Sequence, residues 1–159
     1  MTVTYSTIQT YTIPSLTTTF TLSSIPSTYT DLVLVFAGGT AAPTGVYLRF
    51  NGDSGSNYST TRMSGWGANI NSARASNQSR VEIGGSWSTT NLMTLNLQNY
   101  SSTSVNKSGI CRTSDATDTV AAGSILWRNT AAINSIAFSS DSTNFSVGTV
   151  ITLYGIKAE

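Results

Sequence analysis

The sequence feature that most constrains the fold is a short apolar run, LVLVF, at residues 32–36. A Pro-Ser-Thr turn signal at residues 26–28 precedes it, and Gly38 and Gly39 end it. A Val-rich run of this length is typical of a strand buried on both faces, whereas a buried helix needs roughly 10–12 residues. We therefore expect residues 25–37 to contain a central strand of a two-layer β domain.

Most other apolar segments alternate with polar residues, which is typical of strands with one solvated face. The clearest examples are VYLRF at 46–50 and the segment 91–100. No sustained helical period occurs, and the nearest candidate, residues 72–76, is too short to hold as a helix. About ten short strands separated by Gly, Asn, Ser and Pro turns predict an all-β, single-domain antiparallel β-sandwich, jelly-roll-like in form.

The chain divides into an N-terminal arm or pair of edge strands, residues 1–22, and a β-sandwich domain, residues 23–159. Alternation in the arm is partial and changes phase, which favours edge strands, and a Thr/Tyr-rich edge suits strand addition to a neighbouring subunit. The apolar residues of the arm are the candidate interface: Val3, Tyr5, Ile8 and Tyr11.

The stretch 51–88 is the least regular and predicts long loops, with weak strands near 66–70 and 80–83. Long loops often carry binding surfaces. Its aromatic residues are candidates for exposed positions that stack on sugars or anchor an interface, and burial as core residues is the alternative for the two tryptophans. These residues are Tyr58, Trp66 and Trp87. Trp127 shares a strand face with Ile125 and is predicted to lie in the core.

Composition excludes several partner classes. Charged residues make up 9% of the chain and the net charge is +1, against a usual charged fraction of about 25%. A charge this small gives no electrostatic footprint for nucleic acid or an anionic membrane, so neither is an expected partner. No apolar run approaches the roughly 18 residues of a membrane helix. The single cysteine, Cys111, excludes an internal disulfide and is expected to be a buried apolar residue.

The sequence predicts no catalytic, cofactor or metal site, and we expect a protein that is not an enzyme. Histidine is absent, which removes the usual general base and the commonest metal ligand. Seven carboxylates could in principle supply a glycosidase pair, but Asp115 and Asp118 fit a polar turn better. The loop 51–57 superficially resembles a calcium loop but lacks the closing bidentate Glu.

Several stretches of the sequence resemble a family of small β-rich virion proteins of tailed bacteriophages, notably phages of cyanobacteria. They are SSIPSTYTDLVLV (23–35), RFNGDSGSNYS (49–59), ILWRNTAAINSIAF (125–138) and VGTVITLYGI (147–156). The shared pattern is an I-P-x-x-Y-T-D-L opening, an F-N-x-D-x-x-x-N-Y-S turn and a terminal L-Y-G-I strand. The arm and the middle loops match poorly.

The resemblance implies a head decoration, or cement, protein that binds the major capsid protein or other virion proteins. It implies a homo-oligomer, with a trimer favoured, located in a virion that is assembled in the host cytoplasm. One alternative is a tail or fibre subunit that recognises a host surface glycan, although the elongated repeats usual in fibres are missing. Another is a carbohydrate-binding module or glycan-active enzyme.

Overall fold

The computed structural model describes residues 5–83, 91–116 and 118–157, which form twelve β-strands. These residues contain no α-helix. The strands are β1 (Tyr5–Thr12), β2 (Thr19–Leu22), β3 (Asp31–Gly38), β4 (Val46–Phe50), β5 (Tyr58–Trp66), β6 (Asn69–Gln78), β7 (Val81–Glu82), β8 (Asn91–Gln98), β9 (Lys107–Asp115), β10 (Val120–Trp127), β11 (Ile136–Ser140) and β12 (Val150–Ile156). The predicted all-β class is confirmed, with two strands more than the sequence indicated.

The strands form two antiparallel sheets that pack as a β-sandwich. The large sheet has eight strands in the order β1-β12-β3-β8-β9-β10-β5-β6. The small sheet has four, in the order β2-β11-β4-β7. The two sheets differ in size by a factor of two, so the small sheet cannot cover the whole inner face of the large one.

The apolar run lies inside the large sheet, where β3 pairs with β12 on one side and β8 on the other. Leu32, Leu34 and Phe36 are fully buried and face the small sheet. Among the described residues, no second layer covers the opposite face, and Val35 on that face stays partly exposed. The expectation that this strand is buried on both faces was therefore wrong: its interior position is correct, but one face is shielded only by neighbouring side chains.

An aromatic cluster joins the two sheets. Phe20 stacks on Phe138 with ring centroids 4.5 Å apart, and it meets the edge of Phe145 at 5.0 Å. Phe36 reaches the same cluster from β3, at 6.2 Å from Phe138. Aromatic pairs add roughly 0.5–1.5 kcal/mol to the effect of area burial, so this cluster fixes the separation and alignment of the sheets.

The stretch predicted to be mostly loop contains the longest strand of the molecule. β5 and β6 form a hairpin in which Thr60 pairs with Ala75 and Trp66 pairs with Asn69. The ten residues of β6 are exposed on both faces, apart from the half-buried Ala75. A strand without a buried face needs no apolar alternation, which is why no period-2 pattern occurs in this part of the sequence. Val81 and Glu82 form β7, the short strand expected near 80–83.

Candidate functional site

The described carboxylates serve local structural roles on separate elements. Asp115 accepts hydrogen bonds at 3.0 Å from the backbone N of both Asp118 and Thr119, which closes the turn between β9 and β10. This is the polar turn predicted for the segment. The partners of the others are the backbone N of Asn99 for Asp31, Arg62 for Glu82, and Tyr47 and Arg80 for Asp141.

Asp53 lies at the centre of the loop that superficially resembled a calcium site. Its carboxylate accepts hydrogen bonds from Trp127 Nε1 at 2.7 Å, Asn57 Nδ2 at 2.9 Å and the backbone N of Gly55 at 2.8 Å. Burial alone would raise the pKa of Asp53, but these hydrogen bonds outweigh it and hold the pKa below its ordinary value. Oxygens aimed at N–H donors are not arranged for a cation, so the loop is a structural turn.

Tyr58 is fully buried beneath this loop, so the expectation of an exposed loop aromatic was wrong for this residue. Its hydroxyl accepts a hydrogen bond from the backbone N of Phe50 at 3.0 Å and lies 3.1 Å from the carbonyl of Asp53. Burial raises the pKa of Tyr58 to about 12. The N-Y-S element of the turn thus places a Tyr inward to satisfy backbone groups that the turn would otherwise leave unpaired.

The three tryptophans differ in position. Trp127 is buried and stacks on Tyr58 with ring centroids 6.3 Å apart, which confirms the core prediction. Trp66 ends β5 and is 41% exposed. Trp87 lies outside the described residues.

Three of the four candidate interface residues of the arm, Tyr5, Ile8 and Tyr11, fall on β1, which pairs with β12 at one edge of the large sheet. Tyr5 is exposed and meets the edge of the Tyr154 ring. Ile8 and Tyr11 pack partly against the core, and Tyr11 stacks on Phe20. Val3 lies outside the described residues. A bulge between Thr7 and Gln9 accounts for the change of phase seen in the sequence.

Two of the stretches that carry the family resemblance touch each other in the fold. The Tyr29 ring lies directly over Gly155, where a Cβ would overlap it. Thr30 donates its backbone N–H to the carbonyl of Ile156 at 2.8 Å. The hydroxyl of buried Tyr100 donates to the carbonyl of Pro26. The shared residues therefore build the body of the sandwich and do not converge on a reactive centre.

Lys107 is a buried cation that the sequence did not single out. Its Nζ donates to the carbonyls of Ser102 at 2.8 Å, Val105 at 2.7 Å and Thr130 at 3.0 Å. Burial lowers the pKa of Lys107. Because its ammonium group donates to carbonyls from two separate loops, Lys107 links these loops to each other at one end of the sandwich. The predicted burial of Cys111 is confirmed, and burial raises the pKa of its thiol.

The outer face of the large sheet is the side turned away from the small sheet. Directly paired residues of an antiparallel sheet share a face, so the register gives three rows across six strands. They are Ala37, Leu92, Ser114, Val120, Gly65 and Ile70; then Val35, Thr94, Arg112, Ala122, Met63 and Ser72; then Val33, Asn96, Ile110, Ser124, Thr61 and Arg74.

A shallow apolar groove of about 430 Å³ lies across the first two of these rows. Ile70, which is 86% exposed, Val120, which is 60% exposed, and Met63 line it together with the aliphatic surface of Ala122. Arg112 also lines the groove. Leu92 and Ile110 are further exposed apolar residues on the same face. We refer to Met63, Ile70, Val120 and Ala122 as the apolar groove.

A second groove of about 780 Å³ lies on the same face beside the third row, and many of its lining side chains are polar. Hydroxyl groups and two guanidinium groups line it, and Arg128 is held in place by Ser59 and Asn77 at 2.6 and 3.0 Å. Arg74 contributes the second cation from β6. We refer to the surface of Ser59, Thr61, Arg74, Ser124 and Arg128 as the polar groove.

No group of three His, Cys, Asp or Glu side chains that could hold a metal ion occurs in ranges 5–83, 91–116 and 118–157. Within the same ranges, no helix is long and apolar enough to cross a membrane.

Comparisons with known proteins add the following. No protein-family model matches the sequence, and no curated protein matches it. Among solved structures, the chain is similar to the galectin LEC-6 of Caenorhabditis elegans, with 10% identity and a TM-score of 0.37 over 94% of this chain and 96% of that one. A likeness at this TM-score carries no argument about binding.

Sequence reasoning missed the outer face for an identifiable reason. Its apolar residues alternate with the inner-face residues of the same strands, so Ile110 and Val120 read as ordinary members of strand segments. The signal that could have found them is that both faces of β10 carry large apolar side chains, with Ile125 and Trp127 on one and Val120 on the other, whereas a strand with one solvated face carries them on only one side.

Proposed function

We propose that the chain is a structural protein of a phage virion, a head decoration protein that binds the outer surface of the capsid shell as a homo-oligomer. One observation carries the proposal: the outer face of the large sheet exposes large apolar residues and little charge. Among the three rows described above, Arg74 and Arg112 are the charged residues. Apolar residues and depletion of charge are the marks of the buried centre of a protein–protein interface.

The family resemblance supports the virion setting, because the stretches that carry it form the turn, strands and core contacts of a rigid body. The described carboxylates also support a structural role, since most are engaged in turns, ion pairs and backbone caps. A decoration protein needs a stable body and one broad docking surface. The sandwich offers both, because the small sheet closes the core and leaves the outer face of the large sheet free.

The proposal predicts that substitutions on the outer face weaken docking, whereas a matched substitution elsewhere does not. Val120→Lys and Ile70→Lys each place a charge on the apolar groove, and we expect either to weaken binding to empty heads at least tenfold, or about 1.4 kcal/mol. Val147→Lys is the control, since Val147 is 59% exposed but lies in the loop before β12. Co-sedimentation with heads stripped of the chain measures the affinity.

Two results would overturn the docking proposal. One is a wild-type protein that does not co-sediment with heads at micromolar concentration. The other is a Val147→Lys variant as impaired as the two groove variants, which would place the docking surface elsewhere or show a general effect of added charge. Circular dichroism of each variant separates lost binding from lost folding.

The polar groove favours a second candidate function, recognition of a host surface glycan by a tail subunit or a carbohydrate-binding module. Its hydroxyl and guanidinium groups can donate and accept hydrogen bonds with sugar hydroxyls. Calorimetric titration with host cell-wall polysaccharide tests this function. Binding that Arg74→Ala abolishes and Arg112→Ala preserves would support it, and no measurable heat would exclude it.

A further inference from the structure

We propose that two copies of this chain pair edge to edge through β6 around a two-fold axis at Ser72, which joins their large sheets into one sixteen-stranded sheet. This inference does not depend on the virion role. β6 ends the large sheet, and among the described residues it pairs with β5 on one side only. In an antiparallel sheet every second residue of such a strand turns its N–H and C=O away from its partner.

Over residues 69–75, the β6 edge lacks the devices that usually protect an edge strand, because the irregularity in its pairing with β5 lies beyond this segment, between Ala75 and Gln78. Natural edges are shielded by Lys, Pro, inward charges or bulges that twist the strand away. The segment 69–75 of β6, NINSARA, contains no Lys and no Pro, and Arg74 is its one charged residue. The opposite edge, β1, carries a bulge between Thr7 and Gln9. Of the two edges of the large sheet, β6 is therefore the one prepared for pairing.

The position of the axis follows from the regular part of the strand. The β5–β6 ladder is uninterrupted from Asn69 to Ala75, and a register shift follows at the pair Tyr58 and Gln78. Ser72 is the midpoint of this regular segment. An antiparallel two-fold at Ser72 pairs all seven regular residues with those of the second copy, and it leaves the irregular end near Asn77, where φ is +56°, outside the new ladder.

The charges fit this register and disfavour the neighbouring ones. With the axis at Ser72, Arg74 lies opposite Ile70 of the second copy, so its aliphatic stem covers an exposed apolar side chain. The two Arg74 side chains are then four residues apart along the strand, roughly 14 Å. An axis at Arg74 would place like charges directly opposite each other, which is destabilising.

The pairing also makes the two outer faces continuous. An axis perpendicular to the sheet pairs outer-face residues with outer-face residues, so Ser72 meets Ser72 and both outer faces point the same way. The two apolar grooves then lie on either side of the joint, because Ile70 belongs to both β6 and the groove. A dimer of this kind replaces the trimer that the resemblance suggested.

Cross-linking tests the register directly. Directly opposed residues in an antiparallel pair have Cα atoms about 4.5–5.5 Å apart, within the range of about 4.4–6.8 Å that a disulfide allows. Under mild oxidation we therefore expect Ser72→Cys to form an intermolecular disulfide rapidly. The matched control is Ser76→Cys, exposed on the same face of β6, whose two copies would lie roughly 27 Å apart. The native Cys111 is buried.

Sedimentation velocity of the unmodified chain supplies the second measurement. We expect a dimer that appears as the concentration rises, and a Ser72→Cys dimer that keeps the same sedimentation coefficient. A chain that stays monomeric at about 1 mM, where an association with a Kd of 1 mM would be visible, would overturn the proposal. Equal cross-linking of the Ser72→Cys and Ser76→Cys variants would also overturn it, because the contact would then lack this register.

Discussion

At the scale of the residue, Asp53 joins parts of the chain that are distant in sequence. Its carboxylate receives N–H groups from its own loop and from Trp127 at the end of β10. Trp127 is buried, and its indole N–H donates to this carboxylate, so removal of the carboxylate takes away its acceptor. A buried donor left without an acceptor costs about 1–3 kcal/mol.

We therefore expect Asp53→Ala to lower the free energy of unfolding by about 1–3 kcal/mol, because Trp127 Nε1 loses its acceptor. Urea denaturation monitored by tryptophan fluorescence measures the change. Asp118→Ala is the control: its side chain is exposed, and such changes usually stay within about 0.5 kcal/mol. Equal stabilities for the two variants would contradict the role given to Asp53.

The difference in unfolding free energy between the wild type and Asp53→Ala depends on pH. The pKa of Asp53 in the folded chain lies below its ordinary value of about 3.9. The stability that the ionised Asp53 carboxylate contributes is therefore fully present at pH values above the ordinary pKa. It is lost as the pH falls through the pKa of the folded chain. The difference between the wild type and Asp53→Ala should be constant near neutral pH and should narrow in acid. A difference that widens below pH 4 would contradict this assignment.

Sequence reasoning anticipated only part of this arrangement. The Asn-Gly-Asp stretch predicted a turn, and the turn is present with Asn51 and Gly52 at φ of 53° and 68°. The link to Trp127 was not predictable, because it depends on a long-range register between β5 and β10. The burial of Tyr58 follows from the same register, which pairs it with Trp127.

At the scale of the element, the contact between Tyr29 and β12 explains why a glycine stands in the terminal L-Y-G-I strand. Gly155 lies near the end of the pairing of β12 with β3, opposite Leu32. The ring of Tyr29 occupies the space that a side chain at Gly155 would need. Tyr29 also lies beneath Lys157, with Nζ 5.9 Å from the ring centroid.

We expect Gly155→Ala to destabilise the chain by roughly 1–3 kcal/mol, because the added methyl displaces the Tyr29 ring from a packed position. Thermal unfolding monitored by circular dichroism measures the loss. Gly65→Ala is the matched control, since it also lies in a strand of the large sheet but its Cβ would meet only the carbonyl of Asn69, at 3.5 Å. Similar unfolding temperatures for the two variants would contradict this account of Gly155.

The elements also show where sequence patterns stop being informative. β4 and β8 were predictable because their alternation reflects one buried face, and β3 was predictable from its continuous apolar run. β6 was not, because a strand exposed on both faces is stabilised by its hydrogen bonds to β5 and leaves no hydrophobic period. Its composition of Asn, Ser and Ala is typical of loops, so only the neighbouring strand determines its conformation.

At the scale of the whole molecule, the mismatch between an eight-stranded and a four-stranded sheet is the main structural fact. It carries the β5–β6 hairpin beyond the core, while the two-layer arrangement of the described residues leaves the weakly charged outer face of the large sheet exposed. Sequence patterns predicted two layers but could not predict their unequal width, since strand order depends on pairings between residues far apart in the chain. The proposed β6 joint follows from this mismatch, and the proposed docking surface follows from the two-layer arrangement.

Electron cryomicroscopy of the phage particle that carries this chain is the most direct test of the proposed virion role. The account predicts density over the head, with the outer face of the large sheet turned toward the shell and pairs of copies related by a two-fold at β6. Density confined to the tail would contradict the decoration role and favour glycan recognition through the polar groove. Absence of the chain from the particle would contradict the virion role altogether.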